Sequence, residues 1–191
     1  MAKGPSPVTA RDLMAALKKD KAHQTQKKMQ DQEVAAFEKL LLDDEKPMLD
    51  ELAFIGVHVN SVWDFINDWD FEKWEGSCPD KNFTPEAIKI LIDHLQQDHH
   101  PRTIQGIVRS LADNRLSDLN ELWNVLEVLY GKHLTDEHIK NPQERGVQYA
   151  IALALSELAK ESRLESMIKI IKNHPNGDGI EMLEAKIKSF Q

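Results

Sequence analysis

The strongest constraint on this chain is its punctuation. From residue 84 onward, apolar runs at helical spacing are separated by proline, glycine and cap residues at nearly every point where a helix would have to end. Thr84-Pro85-Glu86 places a cap, a first-turn proline and a first-turn acid ahead of Ile88, Leu91, Ile92 and Leu95. Pro101 opens a run with Ile104, Ile107, Val108 and Leu111. Ser117 caps a third, with Leu119, Leu122, Val125, Leu126 and Leu129, which Gly131 stops. Asn141-Pro142 opens an Ala/Leu-rich run from Val147 to Leu158, and Leu164, Met167, Ile168 and Ile171 follow before Pro175. Asp178 or Gly179 starts the last run, through Ile180, Leu183, Ile187 and Phe190. Recurrence at three and four residues gives a helix one apolar face to bury. No segment sustains apolar–polar alternation with β-branched enrichment, so no strand is expected. The chain reads as all-α.

Upstream the pattern is weaker. Gly4, Pro5 and Pro7 break any helix in the first eight residues, and Thr9 with Asp12 can cap a weak stripe of Leu13, Met14 and Leu17. Residues 18–32 are almost wholly polar, which a buried helix could not be. Val34, Phe37, Leu40 and Leu41 restore helical spacing. Pro47 then reads as the first-turn proline of a further helix carrying Met48, Leu49, Leu52 and Ile55 to a stop at Gly56. Asn60 or Ser61 caps a short helix with Val62, Trp63, Phe65 and Ile66. These boundaries divide the chain into a polar, loosely held arm (1–32), N-terminal helices with an irregular tryptophan-rich acidic segment (33–83), and helical repeats (84–191).

The six C-terminal runs pair as 85–113, 118–159 and 163–190, and a shift of 44 residues sets Ile107 on Ile151 and Leu111 on Leu155. That period lies within the roughly 40–47 residues of HEAT and armadillo units. Gly106, Ala150, Ala152 and Ala154 are small enough to let second helices stack closely. The run Ala87-Ile88-Lys89-Ile90-Leu91-Ile92-Asp93-His94-Leu95, then His100-Pro101-Arg102, then Gly106-Ile107-Val108-Arg109-Ser110-Leu111-Ala112, resembles a HEAT unit. With Val62-Trp63-Asp64-Phe65-Ile66-Asn67 before it, the chain is similar over about 60–191 to small bacterial HEAT-repeat proteins. The resemblance implies a short right-handed stack of antiparallel helix pairs, a HEAT-like α-solenoid, with an extra N-terminal helical region. The longer connection at 131–141 and the polar arm depart from that pattern.

Chemistry is sparse. There is one cysteine, Cys78, so no internal disulfide forms, and no run of about 18 apolar residues spans a membrane. With no signal-peptide core at the N-terminus, cytoplasm is the expected compartment. His94, Asp98, His99 and His100 sit near one another, as do His133 and His138. None follows zinc-ligand or HExxH spacing, and they read as polar helix ends. Without a phosphate loop, a nucleophile elbow or a Cys/His pair, the expectation is a non-enzyme with no cofactor and no metal.

Charge points toward a partner. The formal net charge is −8, yet residues 1–30 carry seven Lys/Arg against Asp12 and Asp20, a net +5, so the remainder carries −13. An acidic middle repels phosphate backbones and favours a basic partner. Segment 63–75 concentrates Trp63, Trp69 and Trp74 with Asp64, Asp68, Asp70, Glu72 and Glu75 against Lys73 alone. Tryptophan contributes large contact area at little entropic cost, so Trp69, Asp70, Trp74, Asp64 and Asp68 are the expected partner-binding residues, with Trp63 in the core. The expected function is a non-catalytic protein-binding module that engages no nucleic acid or membrane, of the kind an immunity or antitoxin factor uses on a basic protein. The alternative is an enzyme on the same fold. The HEAT-like alkylpurine DNA glycosylases set an Asp beside aromatics in a basic groove, and Arg102, Arg109 and Arg145 would have to line it here. Glu144, Glu157 and Asp113 offset that charge.

The polar run of the first thirty residues gives little to bury. Deleting residues 1–30 should leave the thermal midpoint nearly unchanged in a circular-dichroism melt. A large drop would show that the arm is packed.

Overall fold

The computed structural model describes residues 9–11, 21–67, 84–132 and 142–191, and among these there is no strand. The helices are α1 (Lys21–Phe54), α2 (Asp64–Asn67), α3 (Pro85–His94), α4 (Pro101–Ser110), α5 (Asn120–Lys132), α6 (Pro142–Leu158), α7 (Leu164–Asn173) and α8 (Ile180–Ser189). Single 3-10 turns at Asn114–Leu116 and Glu161–Arg163 precede α5 and α7. The chain divides into two compact units, Met1–Leu40 and Leu41–Gln191.

Caps fix three of these boundaries. Thr84 is extended at φ −81°, ψ 155°, and its side chain accepts the Ala87 N–H at 3.2 Å ahead of Pro85. His100 caps α4, its Nδ1 accepting the Arg102 N–H at 3.1 Å. Gly56 ends α1 at φ 85°: its N–H donates to the Ala53 carbonyl, and the Val57 N–H donates to that of Leu52. That is the Schellman arrangement, sealed by buried Leu52 and Val57.

Two expectations are corrected. Pro47 does not open a helix; it lies inside α1, which runs unbroken from Lys21 to Phe54. An interior proline costs about 3 kcal/mol. The positions around it offset this, because Met48 and Leu52 are fully buried and Glu45 is buried and hydrogen-bonded. Gly106 does not serve the stacking of second helices. A Cβ there would lie 2.4 Å from Val62 Cγ1 and 3.0 Å from Trp63 Nε1, so the bare backbone of α4 is the floor on which the α2 corner sits.

The core of the larger unit is organised by α6. It packs against α4, α5 and α8, and α8 packs in turn on α7. Val147, Ala150, Ile151, Ala152, Ala154, Leu155 and Leu158 are all buried on one wide side of the helix, and Tyr149 and Glu157 are exposed opposite. Ile107 and Leu111 of α4 are fully buried in the same cluster as Ile151 and Leu155. Each such side chain contributes about 1.5–3 kcal/mol by leaving water. The turn before α8 is tied to this hub by hydrogen bonds. The Asp178 N–H donates to Gln148 Oε1 at 2.8 Å, and the Tyr130 hydroxyl donates to the Asp178 carbonyl at 3.3 Å.

Leu111→Asp places an unpaired charge at a site with no solvent exposure. It should abolish the cooperative thermal transition. Val128→Asp, at a side chain 71% exposed, should melt as the native chain does. A normal transition for Leu111→Asp would overturn the assignment of this core.

Candidate binding surface and polar clusters

Of the five expected partner-binding residues, Trp69, Asp70, Trp74 and Asp68 lie outside the described residues, as do Cys78, His133 and His138. Asp64 is described. Its Oδ2 accepts the N–H of Asn60 at 2.7 Å and of Ser61 at 3.2 Å, so this carboxylate is committed to starting its own short helix. Trp63, expected in the core, is half-buried and packs against it. Its ring carries the Arg102 guanidinium at 3.8 Å from the centroid and that of Arg109 at 5.8 Å. These arginines stand seven residues apart on α4 and share one face of the helix. Asp64 and Trp63 therefore do not form the aspartate-and-aromatic pair that a glycosylase reading would require: the acid is spent on amides and the ring on cations.

A cleft of about 440 Å³ opens between the N-terminal halves of α5 and α7. Its floor is Trp123, buried, with the Arg163 guanidinium 4.5 Å from the ring centroid. The indole N–H donates to Ser166 Oγ at 3.1 Å, and the Ser166 hydroxyl donates to Glu127 Oε2 at 2.8 Å. Arg163 donates to the Ser117 carbonyl at 3.2 Å and to Asn120 Oδ1 at 3.0 Å. Lys160 pairs with Asp118 across the mouth. The cleft thus presents hydroxyl, carboxylate, amide and guanidinium groups over an indole floor.

A third cluster joins α1 to the corner between α3 and α4. His94 Nδ1 and His99 Nε2 are 2.9 Å apart. The outer nitrogens face carboxylates of α1: His94 Nε2 lies 3.5 Å from Glu51 Oε1, and His99 Nδ1 lies 3.3 Å from Asp44 Oδ2. Asp44 Oδ2 also accepts the His100 N–H at 3.1 Å. One residue along, buried Glu45 accepts the Val62 N–H at 3.1 Å, and burial raises its carboxyl above the ordinary range. The His94 side chain is 1% exposed, and burial lowers its pKa despite Glu51 nearby. Among the described residues no group of three or more His, Cys, Asp or Glu is arranged to hold a metal ion.

Sequence reasoning read these histidines as polar helix ends. The missing signal was the acidic stretch Asp44-Glu45 with Glu51, seven residues beyond Asp44 and so on one face of α1. Of these acids Glu45 is buried, Asp44 half-buried and Glu51 exposed, and a buried acid requires a partner within the chain.

Removing the Ser166 hydroxyl leaves the buried Trp123 N–H without its acceptor. Ser166→Ala should destabilise the fold by about 1–3 kcal/mol in urea unfolding. Asn124→Ala, an exposed residue on the same cleft, should change it by less than about 0.5 kcal/mol. Comparison with protein-family models, with curated proteins and with solved structures finds no match for this chain.

Proposed function

We propose that this chain is a non-catalytic protein-binding module built as a short HEAT-like stack of helix pairs, and that its partner is a basic protein. The observation that carries the reading is the asymmetry of the packing in residues 84–191. The second helices α4, α6 and α8 form a contiguous apolar row, α6 packed on both neighbours. The first helices α3, α5 and α7 are joined by polar bridges: Lys89 to Glu121, Lys169 to Glu127, and Ser166 between Trp123 and Glu127. A stack held tightly along one row and loosely along the other curves and leaves an extended surface, which suits recognition of another chain. The solenoid hand and the kinship with small bacterial HEAT-repeat proteins belong to this proposal.

Charge selects the partner. With the first thirty residues at +5, the rest of the chain carries −13, and such a field speeds encounter with a basic surface. That fits a cytoplasmic immunity or antitoxin type of factor that covers a basic protein. No described helix is long and apolar enough to cross a membrane. Trp69, Asp70 and Trp74, with Asp68, are the proposed contact residues, and Asp64 contributes by fixing the helix from which that segment departs.

The test is to identify the partner by cross-linking in cells and then titrate it. Trp74→Ala should weaken binding about tenfold or more, as a buried aromatic anchor does, at unchanged stability. Asp70→Asn should weaken it at low salt, with the effect fading toward 1 M, where the Debye length is about 3 Å. If both variants bind normally and Trp74→Ala melts early, the segment caps the helical stack instead. Tight binding to duplex DNA with a steep salt dependence would favour the glycosylase or lyase alternative.

A further inference from the structure

Arg115 and Arg163 show two ways in which this unit places a guanidinium. Arg115 is exposed, and Asp113 meets it fork to fork: Nε donates to both carboxylate oxygens at 3.1 and 3.0 Å, and Nη2 to one of them at 2.8 Å. Arg163 is half-buried in the cleft between α5 and α7, and no carboxylate of the described residues pairs with it. Its Nη2 donates to the Ser117 carbonyl and to Asn120 Oδ1, and its face lies on Trp123. The N–H groups on Nε and Nη1 have no acceptor among the described residues.

The charge of the cleft is otherwise balanced. Its acids are Asp118 and Glu127, and its bases are Lys160 and Arg163. Asp118 pairs with Lys160, while Glu127 lies 3.8 Å from Lys169 and holds the Ser166 hydroxyl. Each acid thus has a lysine, and Arg163 is left as a positive charge without a counter-ion. Burial lowers its pKa, with only Asp118 acting against this, so the cation is held there at a cost. Ser162 and Asn124 stand exposed on the same cleft, and their side chains make no hydrogen bond among the described residues.

We propose that the cleft binds a small hydroxy-carboxylate, whose carboxylate takes the Nε and Nη1 protons of Arg163 and whose hydroxyl bonds Ser162 or Asn124. A carboxylate matches the planar fork and brings the single negative charge that Arg163 lacks. A phosphate would set a second negative charge beside Asp118 and Glu127. The remaining lining is hydroxyl and amide, and Trp123 is 3% exposed, so the site offers hydrogen bonds rather than apolar surface to the rest of the ligand. A volume of about 440 Å³ takes such a molecule together with water. This ligand, a small anion, is distinct from the proposed basic partner.

Sodium lactate is the probe, with sodium acetate, phosphate and chloride at matched ionic strength as controls. Nitrogen–proton NMR of the full chain reads the Arg163 Nε–H and the Trp123 indole N–H. Lactate should shift both signals saturably in the millimolar range; acetate should bind more weakly and chloride not at all. Arg163→Lys keeps the charge but loses the fork, and it should weaken lactate binding about tenfold or more, read at the Trp123 signal. Should that variant fail to fold, Ser162→Ala/Asn124→Ala changes only exposed side chains, and it should reduce lactate to the affinity of acetate. An unsaturable shift, a response to phosphate as strong as to lactate, or unchanged lactate binding in either variant would overturn the proposal.

Discussion

The packing of residues 84–191 depends on one helix with a wide buried side. Helix α6 buries Val147, Ala150, Ile151, Ala152, Ala154, Leu155 and Leu158 over somewhat more than half of its circumference, with Tyr149 and Glu157 exposed on the rest. A helix with so wide an apolar side can serve several neighbours at once. Its short side chains also set how close the neighbours come, since alanine lets one helix backbone approach another where leucine would hold it off. Close approach to α4 and α8 creates the tight row. The first helices, farther from this hub, are left to meet through longer polar side chains. The cleft over Trp123 is the space that remains when α5 and α7 are spaced by serine, glutamate and arginine rather than by apolar contact.

The acidic balance of the chain does two jobs, and sequence composition cannot separate them. Part of it is surface: Asp43, Asp50, Glu86, Glu121 and Glu157 are exposed. Part is structural. Asp64 starts a helix, Glu45 receives the Val62 amide, and Asp44 receives the His100 amide. The structural acids cluster where α1 meets the remainder of its unit, a junction with few large apolar residues beyond Met48 and Leu52. Directed bonds to amides fix the position of a helix there more sharply than a small apolar contact would.

The helices were legible in the sequence wherever a local device ends them. Thr84, Pro85, Gly56, Pro101 and Pro142 act through their own backbone geometry, so a reader needs only the neighbouring residues. What was not legible depends on tertiary contact. Pro47 looked like a start because nothing local reveals that Glu45, Met48 and Leu52 are all anchored. Gly106 looked like a stacking residue because the chain alone does not tell which face of α4 meets Val62. The histidines looked like solvated ends because their partners lie some fifty residues earlier. For the expected contact residues, the structure bears on Asp64 alone, and it reveals a local role that spacing had hidden: an Asp three to four residues after Asn60 and Ser61 can receive their amides.

These points bear on how the module would hold a partner. The apolar row of second helices is rigid, because changing its spacing would open cavities beside α6. The polar row of first helices is adjustable, because Lys89, Lys169 and Lys160 can exchange acids at little cost; exposed ion pairs are worth about 0–1 kcal/mol each. The polar bridges therefore contribute less to the cohesion of this unit than the apolar contacts around α6 do. The tryptophan-rich segment departs from the α2 corner, which Asp64 starts and which the Arg102 and Arg109 guanidiniums pin through Trp63.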